Sequence, residues 1–118
     1  MKAEIKSLYS LDIDDLPNYS PSDPECFNFL LRLIAGPESE PGEESFDIQV
    51  CTPKWLFEHH RREDIIMGRH YLIVMEYNYE KLVQFISEYC SRCEGSTWAE
   101  VAETLGRLGH WEFEDYRE

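Results

Sequence analysis

Between Phe46 and Leu56 the chain changes its period. Phe46, Ile48 and Val50 alternate with Asp47 and Gln49, which is the pattern of a strand with one buried face. Thr52 can then cap a helix whose first residue, Pro53, has no amide hydrogen to lose. A strand that passes into a helix over so few residues demands a fold in which sheet and helices share one core.

The flanking segments extend that reading. In Ala3–Ser10, Ala3, Ile5 and Ser7 face one way and Glu4, Lys6 and Leu8 the other, as in a strand. Leu11–Glu25 holds three prolines and five acids and reads as a loop. Phe27, Phe29, Leu31 and Leu33 share a face in a further strand, with a buried helix as the alternative. Gly36–Ser45 is a polar connection rich in glutamate, proline and glycine. Tyr71–Tyr77 is apolar on both faces, which predicts a strand that is central or covered on both faces.

Asn78 caps a helix with Leu82, Phe85, Ile86, Tyr89 and Cys93 at helical spacing. Gly95 suits the end of that helix, and Thr97 with Glu100 matches a capping box opening another. Trp98, Val101, Ala102, Leu105 and Leu108 form its apolar stripe. The expected fold is one α+β domain over residues 1–118. It has a mainly antiparallel sheet of about four or five strands with about three helices packed on it. The sheet is expected to centre on Tyr71–Tyr77, with both C-terminal helices on one face. A parallel crossover from the third strand to the fourth stays open.

Charge narrows the partners. The chain carries 11 basic and 24 acidic side chains, a formal net charge of −13. Long-range repulsion disfavours nucleic acid and anionic membranes, while a basic protein is attracted. The sequence has no apolar run long enough to span a bilayer, and its start lacks the apolar core of a signal peptide. A cytoplasmic location is expected, where the four cysteines stay reduced.

Little else reads as chemistry. Cys90 and Cys93 in "EYCSRCEG" sit near a helix C-terminus, where the dipole has the wrong sign to lower a thiol pKa. Buried packing is the favoured reading, with a metal site and a redox pair as alternatives. Cys26 and Cys51 stand alone, and a helix turns the adjacent His59 and His60 apart. His59–Arg62 is a basic island that fits an exposed helix end, though it also suits an anion. The nucleophile elbow, the phosphate-cradling loop and the zinc-helix motif are missing from the sequence. No catalytic residue, metal or cofactor is expected. Trp98 is expected in the core and Trp55 against the sheet. Trp111 is the candidate exposed anchor, with core packing the competing reading.

Three stretches, "ESFDIQVCTPKWL", "GRHYLIVMEYNY" and "GSTWAEVAETLGRLGHWEFEDY", resemble the bacterial immunity protein 8 family. The resemblance runs from about Met1 to Tyr116 and rests on structural motifs, not catalytic ones. It implies an α+β domain that binds and neutralises a cognate toxin of the polymorphic or contact-dependent type. Many such toxins attack nucleic acid and present basic clefts, which an acidic inhibitor complements. Asp12, Asp14 and Asp15 in the first loop, and Glu38, Glu40, Glu43 and Glu44 in the second, are the candidate capture residues, together with Trp111. Two other classes stay open: an acidic adaptor for another basic protein, and a small metal-dependent or hydrolytic enzyme.

Overall fold

A computed structural model describes residues 1–115. Tyr116, which ends the last quoted motif, lies outside the described residues. The elements run β1 (Ala3–Ser10), β2 (Asn28–Pro37), β3 (Glu44–Cys51), α1 (Pro53–His59), β4 (Tyr71–Ile73), α2 (Tyr79–Arg92), α3 (Trp98–Leu105) and β5 (His110–Trp111), with a single 3-10 turn at Leu16–Asn18. β1, β2 and β3 form an antiparallel meander. β4 joins the free side of β3 in parallel along Gln49–Cys51, and β5 joins it antiparallel at Phe46–Asp47. The architecture is α+β with a mainly antiparallel sheet, and the parallel crossover left open by the sequence is present.

The sheet is one-sided. Phe29, Leu31, Leu33 and Ala35 of β2 and Phe46, Ile48 and Val50 of β3 are all buried. They join Leu82, Ile86 and Cys90 of α2 and Val101, Ala102 and Leu105 of α3 in one core. Cys51 at the end of β3 is also buried, while the alternate residues Asn28, Leu30, Arg32 and Ile34 of β2 and Ser45, Asp47 and Gln49 of β3 face the other way and stay half-exposed. There Arg32 and Asp47, directly opposed, pair through two hydrogen bonds of 2.8 Å. An antiparallel sheet tolerates a wet face, so polar alternation costs it nothing.

β1 departs from simple alternation. Its register slips between Ile5 and Ser7, so Ile5 opposes Ala35 and Leu8 opposes Leu33. Lys6 is the extra residue of a β-bulge, which returns Leu8 to the core side. The expected grouping of Leu8 with Glu4 and Lys6 is corrected by that bulge.

The helix starts follow the local chemistry. Thr52 Oγ1 accepts the Trp55 N–H at 3.3 Å, and Asn78 Oδ1 accepts the Lys81 N–H at 3.1 Å. Thr97 Oγ1 accepts the Glu100 N–H at 3.3 Å, and Glu100 reaches back to the Ser96 N–H at 2.7 Å. Each cap satisfies amides that a helix leaves open.

Two expectations fail. The Tyr71–Tyr77 segment is not the centre of the sheet. Its strand ends at Ile73 and pairs with β3 alone, so β2 and β3 are central. Its apolar residues on two faces do not mark burial on both sides. Leu72, Val74 and Tyr77 pack on the core, while Ile73 and Met75 stay 49% and 72% exposed. Trp55 does not anchor α1 to the sheet either. It stacks on His59 of its own helix at 4.5 Å, and α1 contributes no buried residue.

Candidate partner-binding surface

The two acidic loops lie at opposite ends of the β1–β2 pair. Asp12, Asp14 and Asp15 follow β1 near the start of β2, and Glu38, Glu40 and Glu43 follow the end of β2. At about 3.3 Å per residue, the length of β2 holds them roughly 30 Å apart. They do not form one patch. The structure brings the second loop, Glu44 and Trp111 together, and leaves the first loop with other neighbours.

At the first end, all three aspartates are exposed. Asp12 accepts the Leu30 N–H at 2.7 Å, and Asp15 accepts the Asn18 side-chain amide at 2.8 Å. The loop is fastened to Tyr77, whose hydroxyl donates to the Leu16 carbonyl at 3.0 Å and whose N–H donates to the Pro24 carbonyl at 2.7 Å. Tyr77 also meets Tyr19 and Phe27 edge-on. Burial pushes its phenol up to about 12, so it stays a neutral donor.

Tyr77 is also one wall of an apolar groove of about 370 Å³ beside β4. Val50, Leu72, Val74 and Leu82 line it, and Ile73, Met75 and Phe85 stand exposed on it. Phe57 on α1, and Ile65 and Met67 on the crossover from α1 to β4, are 80%, 98% and 80% exposed. Large apolar side chains held in water at this level mark interaction surfaces. Ile73 and Met75 are legible in the sequence as the second apolar face of the strand motif, but periodicity alone does not distinguish burial within the sheet from exposure to a partner.

At the opposite end, Glu38, Glu40 and Glu43 are exposed, but Glu44 is half-buried. Its two carboxylate oxygens accept the indole N–H groups of Trp98 and Trp111, the latter at 2.9 Å. Trp111 lies flat on Phe46, with ring centres 6.4 Å apart, and meets Phe113 edge-on. Both tryptophans are half-buried, neither fully core nor a free anchor. Glu112 accepts the Ser45 N–H at 2.9 Å. Glu114 pairs with Arg69 at 2.9 Å and lies 3.4 Å from His70 Nε2. The hydrogen bond from Arg69 holds the Glu114 carboxyl below its ordinary pKa. Glu44 and Glu112 therefore tie the C-terminal segment to β3, and Glu114 ties it to Arg69 in the cleft beside Trp98 and Trp111.

The cysteine pair is packed. Cys90 and Cys93 are 2% and 1% exposed, and burial pushes the Cys90 thiol up to about 12 and raises that of Cys93. An activated nucleophilic thiol needs the opposite shift. Cys26 is also raised, chiefly by its hydrogen bond to Glu58. Among the described residues no three histidine, cysteine or acidic side chains converge on one point. Within the basic island Arg61 pairs with Glu63 and Asp64 at 3.4 and 3.5 Å, and His59 and His60 Nδ1 lie 3.0 and 2.9 Å from the Trp55 and Leu56 carbonyls. Among the described residues no helix is long and apolar enough to cross a membrane.

A family model described as immunity protein 8 matches residues 3–116. No curated protein and no solved structure matches the chain significantly.

Proposed function

The chain belongs to the immunity protein 8 family, and we propose that it binds and neutralises a cognate bacterial toxin in the cytoplasm of the producing cell. It acts by occupancy rather than turnover, and the toxin presents a basic surface. The observation that carries this reading is the family match along nearly the whole chain. The net charge of −13 supports the choice of partner. A nuclease-type toxin suits that charge, because its cleft must attract a polyanion.

Steering does not require every acid to touch the toxin. Exposed charges speed encounter over about a Debye length, roughly 8–10 Å at physiological salt. The two loops can therefore both contribute, although one compact interface does not centre on both. Asp14, Asp15, Glu38, Glu40 and Glu43 are the acids best placed for this role, being exposed and outside the Trp98–Trp111 cleft. Asp12 and Glu44 have structural duties besides, and Trp111 is held by Glu44.

If the gene beside this chain encodes a toxin domain, cells expressing that domain are expected to survive only with the chain present. With the purified pair, neutralising the five exposed acids to amides is expected to slow association about tenfold at low salt and flatten its salt dependence. Failure of the chain to rescue or bind would remove the toxin reading. Equal association rates for both proteins, with no response to salt, would remove electrostatic capture.

A further inference from the structure

We propose that the apolar groove beside β4 holds the toxin, by accepting an extended, uncharged segment of it as an added strand flanked by basic side chains. This rests on the immunity reading, and it names the contact surface that steering alone leaves undefined.

The backbone provides the first reason. In the parallel pairing with β3, the His70 carbonyl accepts from the Gln49 N–H at 2.9 Å, and the Val74 N–H donates to the Cys51 carbonyl at 2.9 Å. Alternate residues of a strand direct their amides to opposite sides, so the Ile73 peptide groups face away from β3. β3 is the neighbour of β4 in the sheet, so this side is an open edge. Native chains blunt such edges with charge, proline or a covering element. Here the edge carries Ile73 and Met75, both exposed, above a groove floored by core residues.

Charge selects the occupant. Residues 53–85 carry five basic and five acidic side chains, whereas the rest of the chain carries six and nineteen. The groove thus lies in the electrically neutral part of a strongly acidic molecule. Glu76 and Lys81 both line it and offset each other, so the net negative charge at its margin comes from the loop bearing Asp14 and Asp15, which is tied to its wall through Tyr77. An apolar centre with that acidic loop at one end matches an apolar strand with lysine or arginine on its flank. A second copy of the chain fits poorly, because each copy brings thirteen net negative charges.

The test compares Met75→Glu and Phe85→Glu with the wild type, using the toxin domain encoded beside the chain as probe. Met75 is 72% exposed, so Met75→Glu is expected to keep its melting temperature, whereas Phe85 is 48% exposed and stacked on Tyr89, so Phe85→Glu is expected to lose a few degrees with its circular dichroism unchanged. Dissociation is expected to quicken so that affinity falls about tenfold or more, while association at low salt changes little. Hydrogen exchange at the Ile73 amide is expected to slow in the complex. Folded variants that bind like the wild type, with Ile73 exchange unaltered, would overturn the proposal. So would a wild-type dimer in sedimentation that Met75→Glu dissociates, since the groove would then hold a second copy. If the wild type neither rescues nor binds, the toxin reading itself falls and this occupant falls with it. If the wild type rescues while the groove variants also bind normally, the groove alone is wrong.

Discussion

Replacing Glu44 by alanine is expected to lower stability by about 2–4 kcal/mol, because two charge-assisted hydrogen bonds are lost at once. Glu44 opens β3, Trp98 opens α3 and Trp111 lies in β5, so one carboxylate joins three elements. Without it, two half-buried indole N–H groups lose their acceptor. In a domain of this size such a loss moves the melting temperature by roughly 10 °C. Tryptophan emission should shift to the red as Trp98 and Trp111 loosen. Glu44→Gln should fall between the two proteins, since its amide keeps one acceptor oxygen and turns a donor toward the other indole. A loss below about 0.5 kcal/mol for alanine, within the range of ordinary surface changes, would show that the two contacts are dispensable. The result bears on function too. Weaker toxin binding by a Glu44 variant counts as lost charge only if the variant is still folded.

The Glu44 contacts show what kind of feature the sequence hides. A glutamate beside Glu43 in a polar connection looks solvated, and its donors lie 54 and 67 residues away. Nothing local marks them. By contrast, the alternation of β3, the Thr52–Pro53 start of α1 and the Asn78 and Thr97 caps are local signals, and each forms where its residues predict. The bulge at Lys6 lies between these cases. Strict alternation puts Leu8 on the wrong side, and the register slip becomes visible only when β2 supplies Leu33 as its partner.

The misplacement of Tyr71–Tyr77 has a related cause. Apolar residues on both faces fit a central strand, and they equally fit a marginal strand with one face in the core and one offered to a partner. Pairing decides between these, and pairing is non-local. The acids were legible as a class but not as a set. Sequence places Asp14 and Glu40 in similar loops, and the strands between those loops put them at opposite ends of the sheet. The immunity reading survives this division because steering adds over the surface, whereas a contact site must be contiguous.

Raising the pH from 8 to about 11 is expected to cost the folded protein several kcal/mol, much of it through the buried thiols. The Cys90 thiol is pushed from its ordinary 9.0 up to about 12 by burial, with Cys93 adding to the effect. Below pH 9 the folded and unfolded chains both keep this proton, so the group gives no slope. Between pH 9 and 12 the unfolded chain has released it while the folded chain retains it, and stability falls as pH rises. At about 1.4 kcal/mol per pH unit, Cys90 alone accounts for roughly 2–3 kcal/mol by pH 11. Tyr77, also held near 12, acts in the same direction above its ordinary value of 10.0. Urea titrations under reducing conditions at pH 8 and pH 10.5 provide the check, with Cys90→Ala beside the wild type. The variant should begin somewhat less stable, from a small cavity beside Ile86 and the sheet, yet lose less on alkalinisation. Equal losses in the two proteins would mean that Cys90 does not carry the slope. A thiol already ionised near neutral pH would reverse the packed reading of the pair and return Cys90 and Cys93 to consideration as ligands or redox partners.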